Sequence, residues 1–172
     1  MYYCCKCGSK LAAQQIDNQT RLACSATYCD YVHWDNPTPV VAAIVEFDKK
    51  IVLARNKKWP PGIMSVITGY LEKGESPEEA VIREVKEELN LDTLAHQFVG
   101  YYSFFPANQL ILAFTISAVG DIFLAEELTE YELIPNTDVT ANSFNPAGMP
   151  IENPAHSALI AWLISKITVN KS

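Results

Sequence analysis

The chain carries 172 residues, 49% of them hydrophobic and 19% charged, and its 13 Lys and Arg against 20 Asp and Glu leave a net charge of −7. That is the composition of a folded, soluble protein with one sizeable core; it excludes two large domains and any nucleic-acid or membrane binding driven by bulk charge. No apolar run nears the roughly 20 residues that cross a bilayer, and the N-terminus opens on cysteines where a signal peptide needs a basic flank, so the expected location is the cytoplasm.

All five cysteines, Cys4, Cys5, Cys7, Cys24 and Cys29, fall in the first 29 residues. Cys4-x-x-Cys7 followed by Gly8 has the form of a zinc knuckle, in which the glycine lets the backbone turn its amides toward the thiolates. Cys24 and Cys29 supply a second pair after a 16-residue gap, so four thiolates around a tetrahedral ion in a two-hairpin zinc ribbon are expected. The spacing of the second pair is looser than usual, and a reduced or disulfide-bonded segment is the alternative. Cys5 is the spare thiol and His33 the reserve ligand. Four protein ligands close the coordination shell, which makes this metal structural, and a segment so short needs such a staple to fold.

Pro37 and Pro39 mark a boundary, since each restricts its own backbone and that of its predecessor; the domains are therefore 1–36 for the ribbon and 37–172 for the remainder. Val40 to Phe47 reads as a buried strand, Asp48 to Lys50 as a turn and Ile51 to Arg55 as the returning strand. Asn56 to Gly62, with two lysines, Trp59, Pro60 and Pro61, has loop chemistry, and Met64 to Leu71 is extended again. Ser76-Pro77-Glu78-Glu79 announces a helix over Pro77 to Leu89: a serine N-cap, proline at the first position and glutamate three residues past the cap. Gln97 to Phe105 and Leu110 to Val119 read as two strands joined by Pro106 to Gln109, and Ala155 to Ile167 as an amphipathic terminal helix.

On the first helix Val81, Ile82, Val85 and Leu89 form one stripe and Glu84, Glu87 and Glu88 another. Carboxylates on adjacent turns repel. A hard divalent cation such as Mg²⁺ or Mn²⁺ offsets that repulsion, because it takes oxygen ligands from a few carboxylates, water and substrate phosphate. Taken alone, such a run reads first as the common solvated acidic face of a helix.

It does not stand alone. Gly69, Glu75 and Arg83 precede the run Glu84-Val85-Lys86-Glu87-Glu88-Leu89-Asn90-Leu91 at spacings that resemble the Nudix box, Gly-x5-Glu-x7-Arg-Glu-apolar-x-Glu-Glu-x-Gly-apolar, over 23 residues. The one departure is Asn90 for glycine, at a helix C-terminus where left-handed geometry is wanted and Asn is the next most tolerant residue. The resemblance implies an α/β fold, the Nudix α/β/α sandwich with a mixed sheet, here preceded by a small zinc ribbon. It also implies a pyrophosphohydrolase in which Glu84, Glu87 and Glu88 hold Mg²⁺ or Mn²⁺ and Arg83, with Glu75, holds the loop and carboxylates in place.

A ribbon ahead of a Nudix box is similar to the NADH pyrophosphatase group and its relatives that act on ADP-ribose or FAD. By that resemblance Glu127, within Glu126-Glu127-Leu128-x-Glu130, is a further metal-binding carboxylate. The substrate-binding candidates are Tyr70, Arg55, Phe104 and Gln109, together with a backbone amide at Ala155 near the start of the last helix, where phosphate is favoured. The marker of the NADH enzymes, Ser-Gln-Pro-Trp-Pro-Phe-Pro-x-Ser, is replaced by Tyr101 to Gln109, Tyr-Tyr-Ser-Phe-Phe-Pro-Ala-Asn-Gln. The aromatic residues suit a base-stacking pocket or, equally, strand core. The expected substrate is a nucleoside diphosphate linked to another moiety, of the NAD(H), ADP-ribose or FAD kind, and the resemblance implies a homodimer. Other readings are a hydrolase removing a cap or NAD cap from an RNA 5′ end, for which Lys57 and Lys58 are the only obvious basic approach, and a non-catalytic nucleotide sensor or RNA-binding adaptor. Lys6, Lys10 and Arg21 are thin support for nucleic-acid binding by the ribbon.

Overall fold

A computed structural model describes residues 3–145, 148 and 154–169. They fall into two compact units, Met1–Asn36 and Pro37–Ser172.

The first unit is a three-stranded antiparallel sheet of β1 (Leu11–Ile16), β2 (Gln19–Cys24) and β3 (Val32–His33), in that order. Asp17 and Asn18, with φ of 51° and 62°, make the tight turn whose twist matches that of the flanking strands. The only buried hydrophobic residues here, among the described ones, are Cys4, Ala23 and Cys24. That is far too little apolar surface to hold the unit without a staple.

The second unit is a mixed sheet between helices. Its strands are β4 (Thr38–Phe47), β5 (Lys50–Asn56), β6 (Ile67–Tyr70), β7 (Asp92–Phe104), β8 (Gln109–Val119) and β9 (Leu128–Pro135). The order is β7-β8-β4-β5-β9, with β6 also paired to β4. β4 and β8 are parallel and every other pair is antiparallel. β4 changes partner along one side: Val40 to Ala43 bond to β6, whereas Glu46 and Phe47 bond to β5. β5 and β6 themselves do not pair, but a bridge from Ala54 to Ser65, with hydrogen bonds of 2.8 and 2.9 Å, joins β5 to the segment before β6.

Alternation along β4 sends Val41, Ala43 and Val45 to one face and Val40, Ala42 and Ile44 to the other. The first set packs with Val52, Phe114 and Ile116 against Val81, Val85 and Leu89 of α1 (Pro77–Leu89). The second packs with Leu53, Ile111 and Ala113 against Phe144 of the short α2 (Ala141–Phe144) and Leu163 and Ile167 of α3 (Pro154–Val169). The result is the α/β/α sandwich expected from the sequence.

Three elements differ from expectation. β7 starts at Asp92, five residues before Gln97, because it pairs with β8 along its whole length. β9 is a strand although Glu130, Tyr131 and Glu132 are exposed, since its register is supplied by β5. α3 is not amphipathic in the usual sense: its outward positions include Ala158 and Ala161, between half-buried Leu159, Ile160 and Trp162.

Candidate active site

The site is built on α1 and the loop before it. Ser76 caps the helix, its Oγ accepting from the Glu79 amide at 3.2 Å, while Glu79 Oε2 accepts from the Ser76 amide at 2.7 Å. At the other end Asn90 takes the left-handed conformation, φ 61° and ψ 15°, and its amide closes on the Lys86 carbonyl at 3.0 Å. Both ends are thus held by local hydrogen bonds, so the glutamates between them stand on a rigid frame.

Arg83 is the hub of the charges. It donates two parallel bonds to Glu75, from Nε at 3.1 Å and Nη2 at 2.8 Å, and Nη1 reaches Glu84 at 2.8 Å and Glu87 at 3.0 Å. Nη2 also donates to the Tyr70 carbonyl at 3.2 Å, and Glu75 Oε1 accepts from the Glu72 amide at 2.6 Å, so the loop is tied to the helix. The Arg83 guanidinium and the Glu72 amide hold the Glu75 carboxyl below the usual carboxylate range. The Glu84 side chain is only 13% exposed. Its carboxylate occupies the space where a Cβ of Gly69 would sit.

Among the described residues no cation pairs with Glu88. Burial first, and then the charges of Glu84, Glu127 and Glu87, push its carboxyl up to about 7. Glu127 is brought there by the segment after β8. The Phe123 and Ala125 amides bond to the carbonyls of Leu89 and Glu88, each at 3.0 Å, and the Lys57 amide bonds to the Glu127 carbonyl at 2.8 Å. Lys57 Nζ lies 3.6 Å from Glu126 Oε1, which separates the two neighbouring glutamates: Glu126 faces a lysine and Glu127 acts on Glu88. Glu84, Glu87 and Glu127 thus surround Glu88 with excess negative charge, although among the described residues only the four cysteines gather their ligand atoms closely enough for one ion. The carboxylate chemistry fits a hard divalent cation.

The remaining candidates disperse. Tyr70 ends β6 with 61% of its surface exposed. Arg55 is engaged by Glu130 through an ion pair and donates to the Trp59 carbonyl at 3.3 Å. Phe104 is buried, edge-on to His156 with ring centroids 5.0 Å apart, in the core beneath α3. Gln109 starts β8 opposite Phe104 and Thr38. Ala155, in the first turn of α3, packs against the same core.

A small open cleft of about 30 Å³ lies against Glu88, lined also by Ala54, Asn56, Trp59, Val66, Ile67, Thr68 and Leu128. Of its polar and aromatic residues only Glu88 stood out in the sequence. An aromatic residue in a Pro-flanked loop directly after a strand, as Trp59 is, was the available signal.

In the first unit the ligand atoms of Cys4, Cys7, Cys24 and Cys29 all lie within 4.8 Å of one another. The Sγ atoms of Cys4 and Cys29 are 3.6 Å apart and those of Cys7 and Cys24 3.5 Å, close to the edge of about 3.8 Å of a tetrahedron with Zn–S bonds of about 2.3 Å. Hydrogen bonds from the Ser9 side chain and backbone bring the Cys7 thiol down to about 6, whereas burial and neighbouring sulfurs outweigh the backbone hydrogen bonds at Ala26 and Tyr31 and push the Cys24 and Cys29 thiols up. Cys5 is exposed and outside the group, as is His33, which lies 3.7 Å from Asp35.

The family model of the NUDIX domain matches residues 36–156. The NAD-capped RNA hydrolase NudC of Stutzerimonas stutzeri is 30% identical over 118 residues, covering 69% of this chain and 41% of that protein. The NudC of Pseudomonas putida strain W619 is 26% identical over 170 residues, 99% of this chain and 57% of that protein. The chain thus spans about half the length of the curated relatives it matches. A NUDIX hydrolase crystal structure from Nitrosomonas europaea superposes with a TM-score of 0.69 at 21% identity, covering 94% of this chain and 91% of that one. An ADP-ribose pyrophosphatase from Streptococcus suis gives 0.57 at 18% identity, over 80% and 94%. At such identities the structural likeness shows the shared fold.

Proposed function

Because this chain belongs to the NUDIX domain family, we propose that it hydrolyses the pyrophosphate bond of a nucleoside diphosphate linked to another moiety, of the NAD(H), ADP-ribose or FAD class. The observation that carries this reading is the carboxylate group on α1, where Arg83 pairs with Glu84 and Glu87 while Glu88 is buried under the negative charge of Glu84, Glu127 and Glu87.

Glu84, Glu87, Glu88 and Glu127 are the residues that would hold Mg²⁺ or Mn²⁺. A bound cation supplies charge neutralisation on the phosphate oxygens and a lowered pKa for an attacking water. Arg83 sets the rotamers of Glu84 and Glu87, and Glu75 sets Arg83. With no Ser, Cys or His in the carboxylate group, direct attack by water is the economical route and needs no covalent intermediate. The four-cysteine group is read as a structural zinc site, closed to water by its four ligands. Thiols held as metal ligands suit a reducing, cytoplasmic setting.

NAD-capped RNA carries the same bond, and the named activity of the NudC relatives favours it as a second substrate. Lys57 is already engaged with Glu126, so of the Lys57 and Lys58 pair Lys58 is the one left for an RNA 5′ end. A homodimer is the assembly suggested by the resemblance to the NADH pyrophosphatase group. The test is a panel of NADH, ADP-ribose, FAD and NAD-capped RNA assayed with Mg²⁺ and Mn²⁺. Metal-dependent release of two phosphate-bearing products from any of them supports the reading, and no turnover of all four overturns it.

A further inference from the structure

The segment 121–127 carries Glu127 from the end of β8 to the start of β9 and has no helix or strand of its own. Its half-buried Ile122 and Leu124 pack on the core shared with α1, whereas Asp121, Phe123, Glu126 and Glu127 are exposed. Two apolar anchors cannot by themselves fix an exposed carboxylate at the far end. The hydrogen bonds of the segment decide where Glu127 stands.

Most of those bonds run to the C-terminus of α1. A helix ends on carbonyls without intrahelical partners, and here the segment takes two of them: Leu89 accepts from the Phe123 amide and Glu88 from the Ala125 amide, each at 3.0 Å. At the far end the Glu127 carbonyl accepts from the Lys57 amide at 2.8 Å. The root of the segment is held by a side chain, Asn90 Nδ2 donating to the Asp121 carbonyl at 3.4 Å. Asn90 itself is clamped by Lys86, whose carbonyl accepts the Asn90 amide at 3.0 Å and whose Nζ donates to the Asn90 carbonyl at 3.1 Å. Lys86 Nζ is anchored in turn on Asp92 at 2.8 Å. Glycine would suit the left-handed φ of 61° at position 90 at least as well, but it has no donor to offer Asp121. The asparagine therefore supplies a bond that closing the helix does not require.

We propose that Asn90 is a positioning residue, tying the root of the segment 121–127 to the end of α1 and so holding Glu127 toward Glu88. This rests on the reading of Glu127 as a metal-binding carboxylate. Groups that orient a metal ligand typically change metal affinity tenfold or more without touching the ion.

Asn90→Gly keeps the helix end and deletes the tether, and Asn90→Asp keeps the size but turns an acceptor toward the Asp121 carbonyl. Equilibrium binding of Mn²⁺, without substrate, is measured on the intact chain, on both variants, on Glu88→Gln and Glu127→Gln, and on Asn90→Gly combined with Glu127→Gln. Both Asn90 variants should weaken Mn²⁺ binding by about three- to tenfold. The effect should vanish in the Glu127→Gln background, where no carboxylate is left to position; a purely structural cap would cost the same with or without Glu127. Amide exchange followed by NMR should rise roughly two- to tenfold at Phe123 and Ala125, the scale of one hydrogen bond, and stay unchanged at Ala80, whose amide bonds to the Ser76 carbonyl at the other end of α1. The proposal is overturned if both variants bind Mn²⁺ as the wild type does, if the loss persists undiminished without Glu127, or if exchange at Phe123 and Ala125 does not change. Wild-type Mn²⁺ binding that is absent, or indifferent to Glu88→Gln, overturns the carboxylate reading as well, so the two failures give different results.

Discussion

Gly69 and Glu84 share one volume: the carboxylate of Glu84 lies where any side chain at position 69 would begin. Glycine is required there for space, because its backbone is not in the left-handed region. Gly69→Ala should force Glu84 out of line with Arg83 and lower kcat by about a hundredfold, the scale of an ångström-sized misplacement at a reacting centre. Overpacking should also lower stability by about 1–3 kcal/mol. Steady-state kinetics and thermal melts of the variant check both, and an alanine variant with wild-type kcat removes the proposed role of that contact.

Glu88 and Glu75 carry the same charge in opposite surroundings, one among carboxylates and the other clasped by Arg83. Glu88→Gln should reduce kcat roughly a thousandfold, about 4 kcal/mol of barrier, with an equal or higher Tm as repulsion is relieved. Glu75→Gln should instead lower Tm and keep kcat within about tenfold of wild type. Equal kinetic losses in the two variants would contradict this division of labour.

The Glu75 substitution has a pH signature. Its folded-state pKa is depressed, so its stabilising contribution is full above the unfolded value near 4.5 and disappears as pH falls through the folded value. The Tm gap between wild type and Glu75→Gln should therefore be constant at neutral pH and narrow on acidification below about 4.5. Melts between neutral pH and pH 3 test this, and a gap that widens with acid counts against the Arg83 pairing as its source.

Metal analysis after exchange into Mg²⁺ should find about one tightly held zinc per chain. Cys7→Ser should lose it, whereas Cys5→Ser should not, since Cys5 is outside the sulfur group. Should zinc restore hydrolysis to stripped protein in the absence of Mg²⁺, the structural assignment fails.

Substitution of the NADH marker by Tyr101 to Gln109 leaves ADP-ribose or FAD expected to match NADH or exceed it in kcat/KM. A hundredfold preference for NADH, about 2.7 kcal/mol of discrimination, would be the contrary result.

Much of this architecture was readable because local signals agreed with it. The Ser76 capping box, the stripe Val81, Val85, Leu89 and the four cysteines each carry their structural meaning in short-range spacing. Other features depend on partners distant in sequence. β9 exists because β5 offers it a register, which no pattern in Leu128–Pro135 displays. Phe104 reads equally as pocket or core until His156 is seen against it. Arg55 resembles a substrate ligand until Glu130, 75 positions away, claims it. The space shared by Gly69 and Glu84 follows only from docking α1 against β6.

The parallel pairing of β4 with β8 also sets a timetable. Val40 waits for Ile111, about 70 residues later, which at about 5–20 residues per second of synthesis is roughly 4–14 s. Loop closure over that span must precede the contacts that reward it, which places this unit among slower folders. The ribbon is different: its last sulfur is at Cys29, so it can close on zinc while the second unit is still being made. A nascent chain stalled before Gln109 displays the long β4 edge unpaired, and that interval is when chaperones and aggregation compete for it.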